Sequence, residues 1–335
     1  MFKKLLFCIV LCGVRLPLLA QQPDASVYTQ LVWENDGFQL RAKNTTDYYY
    51  TNGIRVALLT NYWQRWPTRR LLLRLPARPG RTYRSLHDLS IGQEMYTPRN
   101  SKVETPRLYP YDRPYAGYVY GSWGATVVDS TGGRRLTSSL SLGAIGPISR
   151  AEQLQDWLHQ KIGHSRPLGW RNQLSNDLVI SYYARYEGRL FPRIHPNFDA
   201  AGAVDATVGT LTNAVGVGGT VWLGQFNDYF ASPTQLHSAR YPARARHRWQ
   251  VYGFFRPMLR AVLDNALLEG GIFGGRHDFY ALPSVEMHHF YAQLEYGWVL
   301  AYGGFSLKAA QTFKSKEFRT GWGHQWGHLS VLWRW

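Results

Sequence analysis

Apolar and polar residues alternate with period two through most of the chain from about residue 26 onward, as expected of strands with one face in lipid and the other in a polar lumen. Twelve strands are predicted. The first eight are Ser26–Asn35, Gly53–Tyr62, Arg84–Tyr96, Tyr115–Val128, Arg135–Gly146, Leu174–Leu190, Ala200–Gly209 and Asn213–Gly224. The last four are Arg248–Val262, Val285–Val299, Phe305–Phe313 and Gly321–Trp335. Turn chemistry separates several pairs, as at Asp129–Gly133 and Tyr302–Gly304. Leu329, Val331, Trp333 and Trp335 alternate outward to a terminal aromatic residue. The pattern predicts an all-β fold, a twelve-stranded antiparallel transmembrane barrel with both termini at the periplasmic end.

One stretch, Ser149–Gly163, departs from period two. Ser149 and Glu152 have capping-box spacing. Leu154, Trp157, Leu158 and Ile162 recur at helical intervals, and Gly163 is a natural stop. Gln155 and His159 stand at i and i+4 on the flank of that stripe. A single helix carrying an imidazole in an otherwise β chain is expected to roof an active site.

Strand direction tests that expectation. If the first strand runs outward, Glu34–Gly37, Tyr50–Gly53, Glu94–Pro98 and Asp112–Tyr115 all fall on the outer rim, with the helix in the third outer loop. Two inner connections are too long for barrel turns: Trp63–Tyr83, rich in arginine, and Phe226–His247. The first reads as an amphipathic membrane-surface segment.

Composition sets the compartment. Lys3 and Lys4 precede an apolar run from Leu5 to Val14, and Ala20 ends the segment, so residues 1–20 read as a signal peptide and 21–335 as the barrel domain. Both cysteines, Cys8 and Cys12, lie in that segment, which excludes disulfides and Cys-based zinc sites afterwards. No later stretch approaches the roughly 20 apolar residues of a membrane helix. The net charge of +16 falls to +13 without Lys3, Lys4 and Arg15. Arginine, which binds phosphate oxygens in bidentate fashion, dominates the cations. In an exported barrel this points to phosphorylated lipid and away from nucleic acid.

Candidate chemistry lies on the predicted rim. Asn35 and Asp36 fit either a strand-end turn or an oxygen-ligand site for Ca²⁺. Thr51, before Asn52 and Gly53, fits a turn. His159 is either structural or a general base with Gln155 beside it. Lys102 reads as a solvated charge, and Arg113 as a partner for Asp112 or a loop clamp. No G-x-S-x-G, H-E-x-x-H or Gly-rich phosphate loop is present.

The stretches Glu34–Phe38, Thr46–Asp47, Tyr50–Gly53, Gly92–Pro98, Asp112–Gly117, Leu142–Pro147 and Gly169–Asn176, with the Gln155/His159 helix, resemble the lipid A deacylase family of outer-membrane enzymes, in family order. The resemblance implies a twelve-stranded barrel that removes the 3′-linked acyl groups of lipid A in a Ca²⁺-dependent reaction. His159 then falls on the base that activates water, with Gln155 alongside. Asn35 and Asp36 fall on the pair at the calcium site, and Thr51 on the threonine after the tyrosine. Lys102 falls on the loop lysine with a one-residue gap. Where an acidic residue is expected after the histidine, this chain has His164 and Ser165, so a ligand is missing or supplied by Asp47. The implied partners are lipopolysaccharide and the outer membrane, with the chain a monomer. An outer-membrane phospholipase with a Ser–His pair is the enzymatic alternative. A passive channel or structural barrel is the other, and it needs a continuous watery lumen.

Overall fold

The computed structural model describes residues 27–38, 48–101, 111–163, 165–234, 247–274 and 278–335. The predicted signal peptide, Asp47, Lys102 and His164 lie outside the described residues. Twelve strands form one closed antiparallel barrel. They are β1 (Val27–Asn35), β2 (Tyr49–Thr60), β3 (Tyr83–Thr97), β4 (Ala116–Asp129), β5 (Arg134–Ile145) and β6 (Asp177–Arg189). The others are β7 (Phe198–Gly209), β8 (Thr212–Gln225), β9 (Trp249–Asn265), β10 (Phe290–Tyr302), β11 (Phe305–Lys314) and β12 (His324–Arg334). Each pairs with its neighbours in sequence, and β1 closes on β12. Among the described residues no helix is long and apolar enough to cross a membrane; the strands make the crossing.

Alternation explains the wall. Leu31, Trp33, Leu89, Ile91, Leu142, Leu178 and Ile180 share one face of their strands and are exposed, forming the apolar outer surface. The opposite face fills the lumen with charge: Arg185 and Arg260 meet Asp205 at 3.2 and 2.7 Å, and Arg256 meets Glu295 at 2.8 Å. Most strand ends differ from expectation by one to three residues. The larger differences are β2, which begins at Tyr49, and β10, which begins at Phe290 after a 3-10 turn at Ser284–Glu286. Asn52 and Gly53 are not a turn. They lie inside β2, just past a register shift against β3 between Tyr50 and Asn52.

Side chains gather at both ends of the lumen. At the end carrying the termini, the connection after β8 turns inward, and Phe226, Tyr229 and Phe230 pack on Trp222, Tyr252 and Phe254. Tyr229 donates to Glu187 at 2.9 Å, and Arg135 donates to the Pro233 carbonyl at 2.9 Å. At the far end Tyr49, Leu268, Leu282 and Phe318 cluster. A polar cavity of about 350 Å³, lined by Arg55, Asp88, Arg135 and Arg256 among others, lies within the barrel.

Candidate active site on the outward wall

Strand register assembles the site from residues far apart in sequence. Asn35 pairs with Asn52, Asn52 with Met95, and Met95 with Gly117, a single row across β1, β2, β3 and β4. Asn35 has the parity of Leu31 and Trp33, and Met95 that of Leu89 and Ile91, so the row faces outward, near the rim opposite the termini. The bulge in β2 turns Thr51 to the same side, where its hydroxyl meets that of Thr97 at 2.8 Å. Tyr49, at the start of β2, is held at φ +64°, an uncommon conformation for an aromatic residue.

The predicted helix, α1 (Ala151–Ile162), lies over this row. It does not roof the lumen. It packs on the outer faces of β3 and β4, and Gly117 permits the approach: a Cβ there would lie 2.0 Å from Ser149 Oγ and 2.6 Å from Ala151 Cβ. The expected capping box is not formed. Arg150 occupies the N-cap in left-handed conformation (φ +58°) with no side-chain cap. Ser149 Oγ instead donates to the Gly146 carbonyl at 2.6 Å, while the Ser149 carbonyl accepts from Gln93 at 2.5 Å.

The helix is rotated from the expected orientation, so its flank is seated deepest and Leu154 packs at the edge against Met95, Tyr115, Ala151 and Trp170. Ala151, Gln155 and His159, spaced by four, face the wall, and Trp157 is 42 % exposed. Its free side is mixed, with Gln153, Trp157, Gln160 and Lys161 exposed, while Gln155 and His159 turn to the wall, where protein groups can partner them.

Hydrogen bonds orient each polar group. His159 Nδ1 lies 2.6 Å from the Ser165 carbonyl. A carbonyl only accepts, so in the neutral ring Nδ1 carries the proton and Nε2 the lone pair. Gln155, only 1 % exposed, accepts at Oε1 from Trp170 Nε1 at 2.7 Å. Trp170 in turn packs on Tyr115, whose hydroxyl donates to the Ser101 carbonyl at 3.1 Å. Asn52 Oδ1 accepts from Trp33 at 2.8 Å and from Asn35 at 3.1 Å, and Asn52 Nδ2 is buried without a partner. Asp36 is 2 % exposed and accepts from the Tyr48 amide at 3.1 Å.

A family model described as outer membrane protein LpxR matches residues 5–335. The chain belongs to the LpxR family of outer membrane proteins. Among solved structures, LpxR from Salmonella typhimurium is similar, with 18 % identity and a TM-score of 0.69 over 91 % of this chain and 99 % of that one, a likeness of fold. The β domain of the Bordetella autotransporter BrkA has 11 % identity and a TM-score of 0.42, covering 92 % of this chain and 98 % of that one. No curated protein matches.

In this LpxR-family barrel the expected site residues form two groups. Gln155 and His159 sit over β3 and β4, whereas Asn35, Asp36 and Thr51 stand at the ends of β1 and β2; Met95, in the row, and Thr97, two residues further along β3, lie between them. Asn52, Thr97, Trp170 and the Ser165 carbonyl were not singled out from sequence. Asn52 carried a misleading signal, since Asn before Gly reads as a turn. At the ends of β1 and β2 the chain offers the Asp36 carboxylate, the amide oxygens of Asn35 and Asn52 and the Thr51 hydroxyl. Hard oxygen donors suit Ca²⁺ by type. Among the described residues no group of three His, Cys, Asp or Glu side chains is placed to hold a metal, and Asp47, the alternative acidic ligand, lies outside them.

Clamps between loops hold the rim beside the site. Arg113 does not pair with the Asp112 side chain through its guanidinium. Nη2 reaches Glu317 at 2.9 Å, and the guanidinium lies 4.7 Å from the Tyr96 ring centre. Burial alone would raise the Glu317 carboxyl, but Lys314 and Arg113 hold it at about 2. Asp112 is shifted upward by burial, against the amides of Arg113 and Arg99 that favour its charge.

Proposed function

We propose that this chain is an esterase that removes the 3′-linked acyl chain of lipid A, with water activated by His159. The observation that carries the reading is the Gln155/His159 pair, buried between a helix and the outward wall of an outer-membrane barrel. A substrate anchored in the membrane reaches that position sideways from the bilayer, past exposed Ile148, Trp157 and Leu168. His159 Nε2 takes a proton from water as its oxygen attacks the ester carbonyl, and returns it to the departing sugar oxygen. The Ser165 carbonyl fixes the imidazole, and Trp170 fixes the Gln155 amide so that its NH₂ group donates toward the ester. Ca²⁺ held by Asp36 and Asn35 would supply positive charge for the developing oxyanion.

The phospholipase reading needs a serine hydroxyl donating to His159 Nε2, and its product would be a lysophospholipid instead of a 3′-deacylated lipid A. The channel reading needs a continuous watery path, and the ion pairs of Arg185, Arg256 and Arg260 with the Phe226, Tyr229 and Phe230 cluster weigh against it. Mass spectrometry of lipid A, with and without the protein, tests the reading. The parent should release the 3′ acyl chain, and His159→Asn, which keeps polarity but loses the base, should be slower by roughly 10²–10⁴-fold. Deacylation by the Asn variant at the parent rate would make His159 structural. Full activity in excess chelator would remove the metal from the reaction.

A further inference from the structure

At the end of the barrel that carries the termini, the connection from β2 to β3 folds back along the outer wall. Residues 62–82 contain six arginines and no lysine, aspartate or glutamate. Aromatic stacking anchors this segment: the rings of Trp63 and Trp66 lie 5.4 and 5.8 Å from that of Trp123, on the outer face of β4. The Leu73 amide adds bonds of 3.1 Å to Ser138 Oγ and to the Tyr182 hydroxyl, on the outer faces of β5 and β6.

Between segment and wall lies a groove of about 650 Å³, lined by Arg69, Arg74, Leu72, His87 and Val127 among others. His87 is 5 % exposed, and its Nδ1 is buried with no hydrogen-bond partner. Along the same outward column of β3 follow Leu89 and Ile91, both widely exposed. A cationic groove with an unpaired buried nitrogen thus opens directly onto an apolar, lipid-facing track.

We propose that this groove binds the phosphate of an anionic glycerophospholipid from the leaflet at the terminus end, its acyl chains lying along Leu89 and Ile91. Arg69 and Arg74 line the groove with no acid in their segment, and a shared anion offsets their mutual repulsion. Guanidinium forks match phosphate oxygens in bidentate fashion, which accounts for arginine in place of lysine. Tryptophan at the polar–apolar boundary fits a membrane interface. Continuity with the hydrocarbon-facing wall favours a lipid over a free anion or an acidic polypeptide. The groove lies at the opposite end of β3 from Met95 and Thr97, so it can be altered without touching the candidate active site.

Native mass spectrometry of the full chain in detergent provides the test, with dioleoylphosphatidylglycerol and dioleoylphosphatidylcholine as probes and inorganic phosphate as competitor. The parent should retain one phosphatidylglycerol in preference to phosphatidylcholine. The double variant Arg69→Gln/Arg74→Gln should lower that occupancy by about fivefold or more, while migrating as a folded barrel. His87→Phe keeps a ring against Trp123 and should lose less. Three results would overturn the proposal. Parent-level occupancy in the double variant would place the lipid elsewhere. Complete displacement by millimolar inorganic phosphate would make the groove a free-anion site. Equal or absent binding of the two lipids would leave the arginines to a protein partner.

Discussion

Two loops fold back on the outside of the same wall, one at each end of β3, and they do opposite things with polarity. At the far end α1 turns Gln155 and His159 inward against β3 and β4 and leaves Trp157 exposed with Gln153, Gln160 and Lys161. At the terminus end the 62–82 segment turns Trp63 and Leu72 inward and leaves its arginines exposed. The outward column of β3 shows why both are needed. Leu89 and Ile91 stand bare in its middle, whereas His87 at one end and Gln93 and Thr97 at the other are polar. Polar groups on a lipid-facing wall need cover or a partner, because lipid supplies no hydrogen bonds. Polar outward positions therefore mark where something docks: a helix that orients hydrogen bonds for chemistry, or a charged strap that recognises charge.

The largest separation between the two ends should come from the clamp at the far rim. Glu317→Ala leaves Arg113 and Lys314 without their carboxylate, and breaking a buried ion pair typically costs about 3–5 kcal/mol. Limited proteolysis should open the far-rim loops and leave the 62–82 segment as in the parent; equal loosening at both ends would show one cooperative unit. The clamp also sets a pH response. Glu317 titrates at about 2, below the ordinary carboxylate value of 4.5. Its contribution is therefore complete above about pH 4.5 and is lost as pH falls toward 2. Protease sensitivity of the far rim should rise across that window, and Glu317→Gln should flatten the response.

A smaller effect isolates the helix from the wall. Gly117→Ala places a methyl group against Ala151 Cβ, which has no rotamer to yield. Overpacking of this kind costs about 1–3 kcal/mol, so turnover should fall roughly five- to hundredfold if the shift is felt at His159. An unchanged rate with an intact barrel would mean that the seat of α1 does not position the base. The smallest effect is at the other end. Trp123→Ala removes its two ring contacts with the segment, to Trp63 and Trp66, worth about 0.5–1.5 kcal/mol each, so trypsin should cut sooner among Arg65–Arg81 while deacylation is unchanged. Parallel loss of activity would join the two ends that the structure holds apart.

Much of this was legible in the chain. Period-two alternation fixed the strand number, because each strand must present one apolar and one polar face whatever its neighbours are. The helix was legible from its spacing, and its place in the third outer loop from counting strands. What the helix would face was not. The stripe of Leu154, Trp157 and Leu158 looked like the core face, and only the packing of α1 on the wall seats Ala151, Gln155 and His159 deepest, with Leu154 and Leu158 half-buried and Trp157 exposed. Asn52 looked like turn chemistry until the bulge in β2 placed it in the row with Asn35 and Met95. Alternation is a property of one strand, whereas register is a property of pairs. The sequence by itself determined which residues share a face, and only closure of the barrel decided which of them stand side by side.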